Sequence, residues 1–401
     1  MAGPRLTQFY YITHRENVPS ILQHGILSHS RVEASGLPYT RIYDKGIVEG
    51  RRHRATPDGK SLWDFANLYF QPRNAMLFRV KCERNVGDIA VLAVLPDVLR
   101  TPGTFIANGN AASPLSLVFP VPSQSRQLND IRRATDKEFW KEEDGSKRTM
   151  MAEVLVPDVI LPEHIDSVYV ANHDTAAKVK AMLSGWRGHV IPQPDMFFEP
   201  SACKRITSNL SVLQGDMFFS RQQTLTVSVN IVGIMGRGLA SRAKYQFPDV
   251  YVYYQDACRN KSLRTGRPFL YKRESSFDYQ LADEPASLTC VNSQTWFLLF
   301  PTKRHWRDAS RIEDIEGGLA WLRENYIGEG IESLAIPALG CGLGRLRWED
   351  VGRLLCRYLG DLQIPVSVYL PAERKIPPEH LERGFLLGSS TPELEIPFPP
   401  A

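Results

Sequence analysis

Cysteine is scarce and scattered: the six in 401 residues stand at positions 82, 203, 258, 290, 341 and 356. No two are spaced as a zinc site or a dithiol motif requires, which removes a disulfide scaffold and a Cys-ligated metal as organising devices and favours reduced thiols. A strong charge of either sign is also missing. Lys and Arg total 48 against 44 Asp and Glu, a formal net charge of +4, which neither demands nor excludes a nucleic-acid partner. No apolar run is long enough to span a bilayer, and Met1-Ala2-Gly3-Pro4-Arg5 lacks the apolar core of a signal peptide. The expectation is a soluble, cytoplasmic protein with no membrane partner. The two halves share no repeat period. What remains is ordinary globular composition, 43% hydrophobic and 23% charged, in a chain long enough for two domains.

The charge that is present clusters. Arg51-Arg52-His53-Arg54, Lys147-Arg148 and Lys303-Arg304-His305 are candidate phosphate contacts, the first of them equally readable as an exposed loop running from Gly50 to Pro57. Ahead of it a β-prone run from Phe9 gives way to helical spacing, with Val18, Ile21 and Leu22 on one face, Pro19 near the first turn and Gly25 as the stop. Thr13 and Asn17 place polar groups at the strand end, where a nucleotide can be held. Leu68 to Val80, aromatic-rich and broken by Pro72, predicts two short extended segments whose rings belong by default to a core. Glu153 interrupts the strand-like apolar segment Met150 to Pro157. A carboxylate there is paired, with Arg148 the near candidate, or solvated in a cleft, or catalytic.

In the second half, Trp296-Phe297-Leu298-Leu299 reads as a buried strand, which puts Lys303 at its carboxyl end. Partly desolvated there, an amine loses its charge more easily and becomes a nucleophile toward an anomeric carbon; the plainer alternative is a solvated basic turn. Two glycine clusters, Gly233 to Gly238 and Gly340 to Gly344, suit backbone amides approaching a diphosphate, though each alone is a weak signal. From Ile206 strands alternate with helices, which predicts a three-layer α/β arrangement with a mixed sheet.

Taken in order, Tyr10 to Asn17, Arg51 to Arg54, Tyr69 to Met76 and Ala152 to Val156 resemble the DarT family of DNA ADP-ribosyltransferases, over about Gln8 to Phe198. That resemblance implies an α+β ADP-ribosyltransferase domain with NAD as co-substrate and no metal. Tyr10, Tyr11, Thr13, Asn17 and Met76 would hold NAD, Glu153 would be the catalytic acid, and Arg52 would lie against the target base. Arg51, Arg54, Arg73 and Arg148 would contact single-stranded DNA. The chain departs from the family's habit at Tyr11, at Asn110 and at Phe65-Ala66-Asn67.

The glycine clusters, with Gly215-Asp216-Met217 and Pro301-Thr302-Lys303-Arg304-His305-Trp306, resemble a macrodomain of the DarG antitoxin group over about Ile206 to Pro371. By that resemblance Asp216 and Met217 hold the adenine end of ADP-ribose, Asn230, Gly236 and Gly238 its distal ribose, and Gly340, Gly342 and Gly344 its diphosphate, with Lys303 catalytic. Val227, Arg345 and Arg347 are departures.

The expectation is therefore an α+β ADP-ribosyltransferase domain (1–200), a three-layer α/β/α macrodomain with mixed sheet (201–372) and a proline-rich tail (373–401). Toxin and antitoxin would share one chain. The first would ADP-ribosylate a base in single-stranded DNA, thymine before guanine or RNA, and the second would strip ADP-ribosylated DNA rather than merely bind ADP-ribose.

Overall fold

The run Phe9–His14 forms strand β1 in the computed structural model, and the chain turns at once into helix α1 (Val18–His24) with Pro19 in its first turn. Gly25 ends that helix at φ +87, where a Cβ would overlap Ile160 O. The structure describes residues 7–42, 45–123, 125–283, 288, 294–371 and 374–388. They divide into two units, Met1–Glu199 with Phe277–Val291, and Pro200–Ser276 with Asn292–Ala401. No helix among the described residues is long and apolar enough to cross a membrane.

In the first unit β1 lies inside an eight-stranded sheet. The others are β2 (Phe65–Tyr69), β3 (Ile89–Val94), β4 (Phe105–Ala107), β5 (Val118–Pro120), β6 (Glu153–Pro157), β7 (Ile165–Val170) and β8 (His189–Pro192), in the order β8-β7-β3-β1-β2-β6-β4-β5. Pairing is antiparallel except between β7 and β8. Side chains alternate across the sheet: Leu68, Val154 and Val156 join one apolar core while Phe65, Phe105 and Leu155 form a second.

Two expectations need correcting here. The segment after Tyr69 is not extended: Asn74 accepts from Leu77 N at 3.1 Å and starts helix α3 (Ala75–Glu83). Apart from Val80, its residues lack the β-branching that favours strands. The Gly50–Pro57 loop is also shorter than expected, because its first three residues finish helix α2 (Lys45–Arg52), whose last turn places Arg51 and Arg52 where a helix favours cations.

The second unit holds a seven-stranded mixed sheet. Its strands are β9 (Ala202–Arg205), β10 (Leu210–Gln214), β11 (Thr224–Asn230), β12 (Phe269–Tyr271), β13 (Trp296–Lys303), β14 (Leu334–Pro337) and β15 (Val366–Tyr369), in the order β9-β10-β15-β14-β11-β13-β12. The edge strands β9 and β12 pair antiparallel and the rest run parallel. Leu298 and Phe300 of β13 pack with Ile315, Leu319, Val351 and Leu355 from helices Ile312–Glu329 and Trp348–Leu359. Phe297, pointing the other way, meets Phe247, between helices Gly238–Gln246 and Pro248–Arg259, at a ring separation of 4.7 Å. Three layers result.

Within the expected tail, the described residues 374–388 are tied to the second unit. A short helix, Arg383–Leu387, buries Leu386 in the second core, and Trp348 Nε1 donates to His380 O at 3.0 Å. Residues 389–401 lie outside the described part.

Candidate functional site

Glu153 opens β6 and sits between two strands, opposite Tyr69 of β2 and Ala107 of β4. Its side chain is 0% exposed, so its charge needs partners inside the fold. Arg51 supplies them, donating from Nη1 to Oε1 at 3.2 Å and from Nη2 to Oε2 at 2.8 Å. Ala111 N adds a third bond to Oε1 at 2.9 Å. Burial alone would lower the Arg51 guanidinium, but the charge and hydrogen bonds of Glu153 outweigh it and leave Arg51 raised. Arg148, the partner nearest in sequence, is used otherwise. It donates to Asn108 Oδ1 at 3.4 Å and Ser116 Oγ at 3.1 Å, fastening the loop that carries Ala111.

Arg52 turns away from this pair. It meets Glu33 at 2.7 Å and lies over the Trp63 ring at 4.6 Å, because neighbouring residues on a helix point roughly 100° apart. Of the other arginines expected on DNA, Arg73 donates to Asp195 Oδ1 at 2.7 Å, and Arg54 is half-buried in the turn after α2.

A cleft in the same unit is lined by Tyr11, Thr13, Asn17 and Met76, together with Arg51, Tyr69 and Asn110. Glu153 is not exposed in it; its bonded partner Arg51 is. Tyr10 lies outside as well, since alternation along β1 sends it to the opposite face, with its ring 6.5 Å from Tyr169. Asn17 fixes the cleft wall rather than offering a free amide: Nδ2 donates to Thr40 O at 2.8 Å and to Thr13 Oγ1 at 3.1 Å, and Thr40 N donates back to Oδ1 at 2.8 Å. Burial, with Tyr39 second, pushes the Tyr11 phenol up to about 12, so it stays a neutral donor. Asp283 also lines the cleft. It belongs to the stretch starting at Phe277 that groups with this unit, and nothing in the sequence pattern pointed to it.

In the second unit the carboxyl ends of β11 and β13 stand side by side, with Asn230 opposite Lys303 across a register shift. Both glycine clusters leave the sheet at the carboxyl ends of parallel strands, where ligands of open α/β sheets bind. Gly238, at φ +60, opens a nine-residue helix, and a Cβ there would come within 3.6 Å of Leu343 in the second cluster. Lys303 Nζ donates to Leu343 O at 2.8 Å, so the lysine reaches one loop from the strand beside the other. Burial first and Arg345 second lower its amine below the ordinary lysine value, with Asp308 opposing them.

Two expected ligand groups are already engaged. Asp216 accepts from Phe218 N at 3.1 Å and from Arg242 Nη1 at 2.7 Å, and Met217 is buried behind it. Asn230 donates to Ile234 O at 2.6 Å and accepts from Val232 N at 3.0 Å and from Tyr254 Oη at 2.8 Å, so its amide shapes the first glycine loop. Gly236 is exposed and Gly342 half-buried, and Gly340 has φ +73.

Residues 10–198 match the family model described as ssDNA thymidine ADP-ribosyltransferase, DarT. Over 387 residues the chain is 52% identical to a DNA ADP-ribosyl transferase–DNA ADP-ribosyl glycohydrolase fusion protein of Thermosipho africanus, covering 96% of this chain and 100% of that protein. It also superimposes on the structure of Thermosipho africanus DarTG in complex with ADP-ribose with a TM-score of 0.89 at 50% identity, over 95% of this chain and 100% of that one. A DNA ADP-ribosyl glycohydrolase of Thermus aquaticus is 33% identical over 165 residues, 41% of this chain and 42% of that protein.

Proposed function

The chain belongs to the family of fused DNA ADP-ribosyl transferases and DNA ADP-ribosyl glycohydrolases, and from that premise we propose how it divides and performs its two opposing reactions. Residues 1–200 write the mark and residues 201–372 erase it, with 373–401 as an appendage of the second part. NAD is the co-substrate of writing, and the target is thymine in single-stranded DNA.

In the writing reaction NAD occupies the cleft beside Tyr11, Thr13 and Met76. The nicotinamide ribose displaces Arg51 from Glu153, and the freed carboxylate steadies the oxocarbenium character that develops as nicotinamide leaves. The released Arg51 guanidinium then faces the incoming base. Thymine's ring imide nitrogen holds its proton at neutral pH and gives it up to solvent water as it bonds to the anomeric carbon that nicotinamide has left, so the task suits a fixed cation that stabilises the deprotonated base, guanidinium hardly ever being a proton acceptor. Arg51 takes this role in place of Arg52 because Arg51 lines the cleft, whereas Arg52 lies over Trp63 beside Glu33, outside the cleft lining.

For erasure ADP-ribose lies across the two glycine loops with its anomeric carbon toward Lys303. The amine attacks that carbon as the bond to the base breaks, the base leaves with the proton, and water frees the sugar from the lysine. The observation that supports both halves best is the pairing of a buried carboxylate with a cleft arginine in one unit and a lysine with a lowered amine between glycine loops in the other.

Incubation with labelled NAD and single-stranded oligonucleotides tests this directly. Label should persist on DNA in the Lys303→Ala chain, pass transiently in the wild type, and be missing in Glu153→Ala. Oligonucleotides lacking thymine should stay unlabelled. Label on guanine or on RNA instead would overturn the choice of target, and equal label in the wild type and Lys303→Ala would overturn the role of Lys303.

A further inference from the structure

Arg345 holds a left-handed backbone, φ +64, inside the second glycine loop. Side chains other than glycine's are disfavoured there, and glycine would sit without strain. No contact inside the fold accounts for keeping an arginine at this position: its side chain is exposed and forms no ion pair or hydrogen bond with any described residue. The backbone, by contrast, is closely held. Arg345 N donates to Gly342 O at 3.2 Å and Leu346 N to Gly340 O at 3.0 Å. The guanidinium thus projects from a fixed point two residues beyond Leu343, whose carbonyl accepts from Lys303.

In the erasing reaction proposed above, on which this inference rests, Lys303 marks the bond to be broken, where ADP-ribose ends and DNA begins. A cation carried beside it, exposed and unclaimed by any described residue, stands within an arginine's reach of the DNA side of that junction. We propose that Arg345 is a specificity residue of the glycohydrolase, its guanidinium taking a backbone phosphate of the strand that carries the ADP-ribose. It then favours an adduct embedded in DNA over the same adduct on a lone nucleoside, whichever base bears it. The contact is a planar, permanently charged fork suited to phosphate.

The test uses one adduct in two forms, an ADP-ribosylated oligonucleotide and the nucleoside obtained by digesting it. ADP-ribose release is measured with the full wild-type chain, Arg345→Gly and Arg345→Lys, across a salt series. Both substrates meet the same Lys303, so the ratio of their kcat/KM values cancels any change in its amine. In Arg345→Gly the oligonucleotide-to-nucleoside ratio should fall about tenfold, mainly through KM, and the salt slope on the oligonucleotide should lose about one unit. Arg345→Lys should keep most of the ratio. Glycine suits this backbone, so an unchanged or higher Tm separates lost recognition from lost folding. An unchanged ratio overturns the proposal: with both rates intact Arg345 is an idle surface cation, and with both rates equally reduced it serves the ADP-ribose or Lys303 instead.

Discussion

Arg51 meets Glu153 through both arms of its guanidinium, although the two residues lie 102 positions apart and the carboxylate is 0% exposed. A buried pair of this kind adds little net stability, yet removing one member leaves the other charged and unsolvated, at roughly 3–5 kcal/mol. Arg51→Ala should therefore destabilise the first unit by about 3 kcal/mol as well as abolish DNA modification. Arg52→Ala, on a pair whose side chains are 50% and 58% exposed, should change stability by less than about 1 kcal/mol. Chemical denaturation of the two variants checks this, and equal midpoints would refute the assigned importance of the buried pair.

The role proposed for Lys303 predicts a pH signature for ADP-ribose release. Its amine is lowered by burial and then by Arg345, so the neutral nucleophile forms below the ordinary lysine value of about 10.4. ADP-ribose release should rise with pH and level off short of that value. In Arg345→Gly one of the two lowering causes is gone, and the midpoint should move upward. Lys303→Arg, which keeps a cation that cannot deprotonate, should be inactive at every pH. Activity in that variant would sink the nucleophile assignment.

His29 makes the stability of the first unit pH-dependent. Burial, then the charge of Arg51, lowers its imidazole from the usual 6.5 to about 4, and its ring stacks on Trp63 at 4.5 Å. Above pH 6.5 folded and unfolded chains both carry a neutral ring. Between 6.5 and 4 the unfolded chain binds the proton and the folded one does not, so acid costs stability, on the order of 2 kcal/mol by pH 5. His29→Gln should remove that part of the acid sensitivity. Denaturation midpoints at pH 7 and pH 5 for the two chains would show it, and parallel losses in both would assign the effect to other groups.

Features set by local pattern could be read from the chain before any coordinates. The strand from Phe9, the helix stopped by Gly25 and the position of Lys303 at a strand end all follow from periodicity and punctuation within a few residues. Helix Ala75–Glu83 did not, because a helix buried on most sides shows no polar face to give its period; the one signal was Asn74, its cap. The partner of Glu153 was out of reach for another reason. Sequence proximity favours Arg148, whereas the sheet brings in Arg51 from a helix far upstream. Asp283 is the extreme instance, a cleft residue supplied from a stretch that follows the first glycine loop of the other unit. At Asp216 and Asn230 residue type was informative but occupancy was not, since nothing local reveals that Arg242 and Tyr254 already use them.

The glycines of the second unit separate two reasons for being glycine. A Cβ on Gly344 would overlap Ser310 Oγ and Gly340 O, so the fold itself forbids a side chain there. On Gly236 the nearest atom to a Cβ is Ile234 Cγ2 at 3.9 Å, and the backbone lies outside the left-handed region, so alanine fits the protein. Gly344→Ala should consequently lose both thermal stability and ADP-ribose release, the latter by about 100-fold or more as the loop moves away from Lys303. Adding Ser310→Gly should restore part of the stability and not all, because the clash with the Gly340 carbonyl remains. Gly236→Ala should melt as the wild type does, within about 0.5 kcal/mol, yet bind ADP-ribose more weakly if the proposed site is correct, the methyl group then standing in the path of the ligand's ribose. Calorimetric titration of ADP-ribose into each variant, beside its melting curve, distinguishes the cases. Wild-type affinity in Gly236→Ala would mean that this loop shapes the protein and does not touch the sugar.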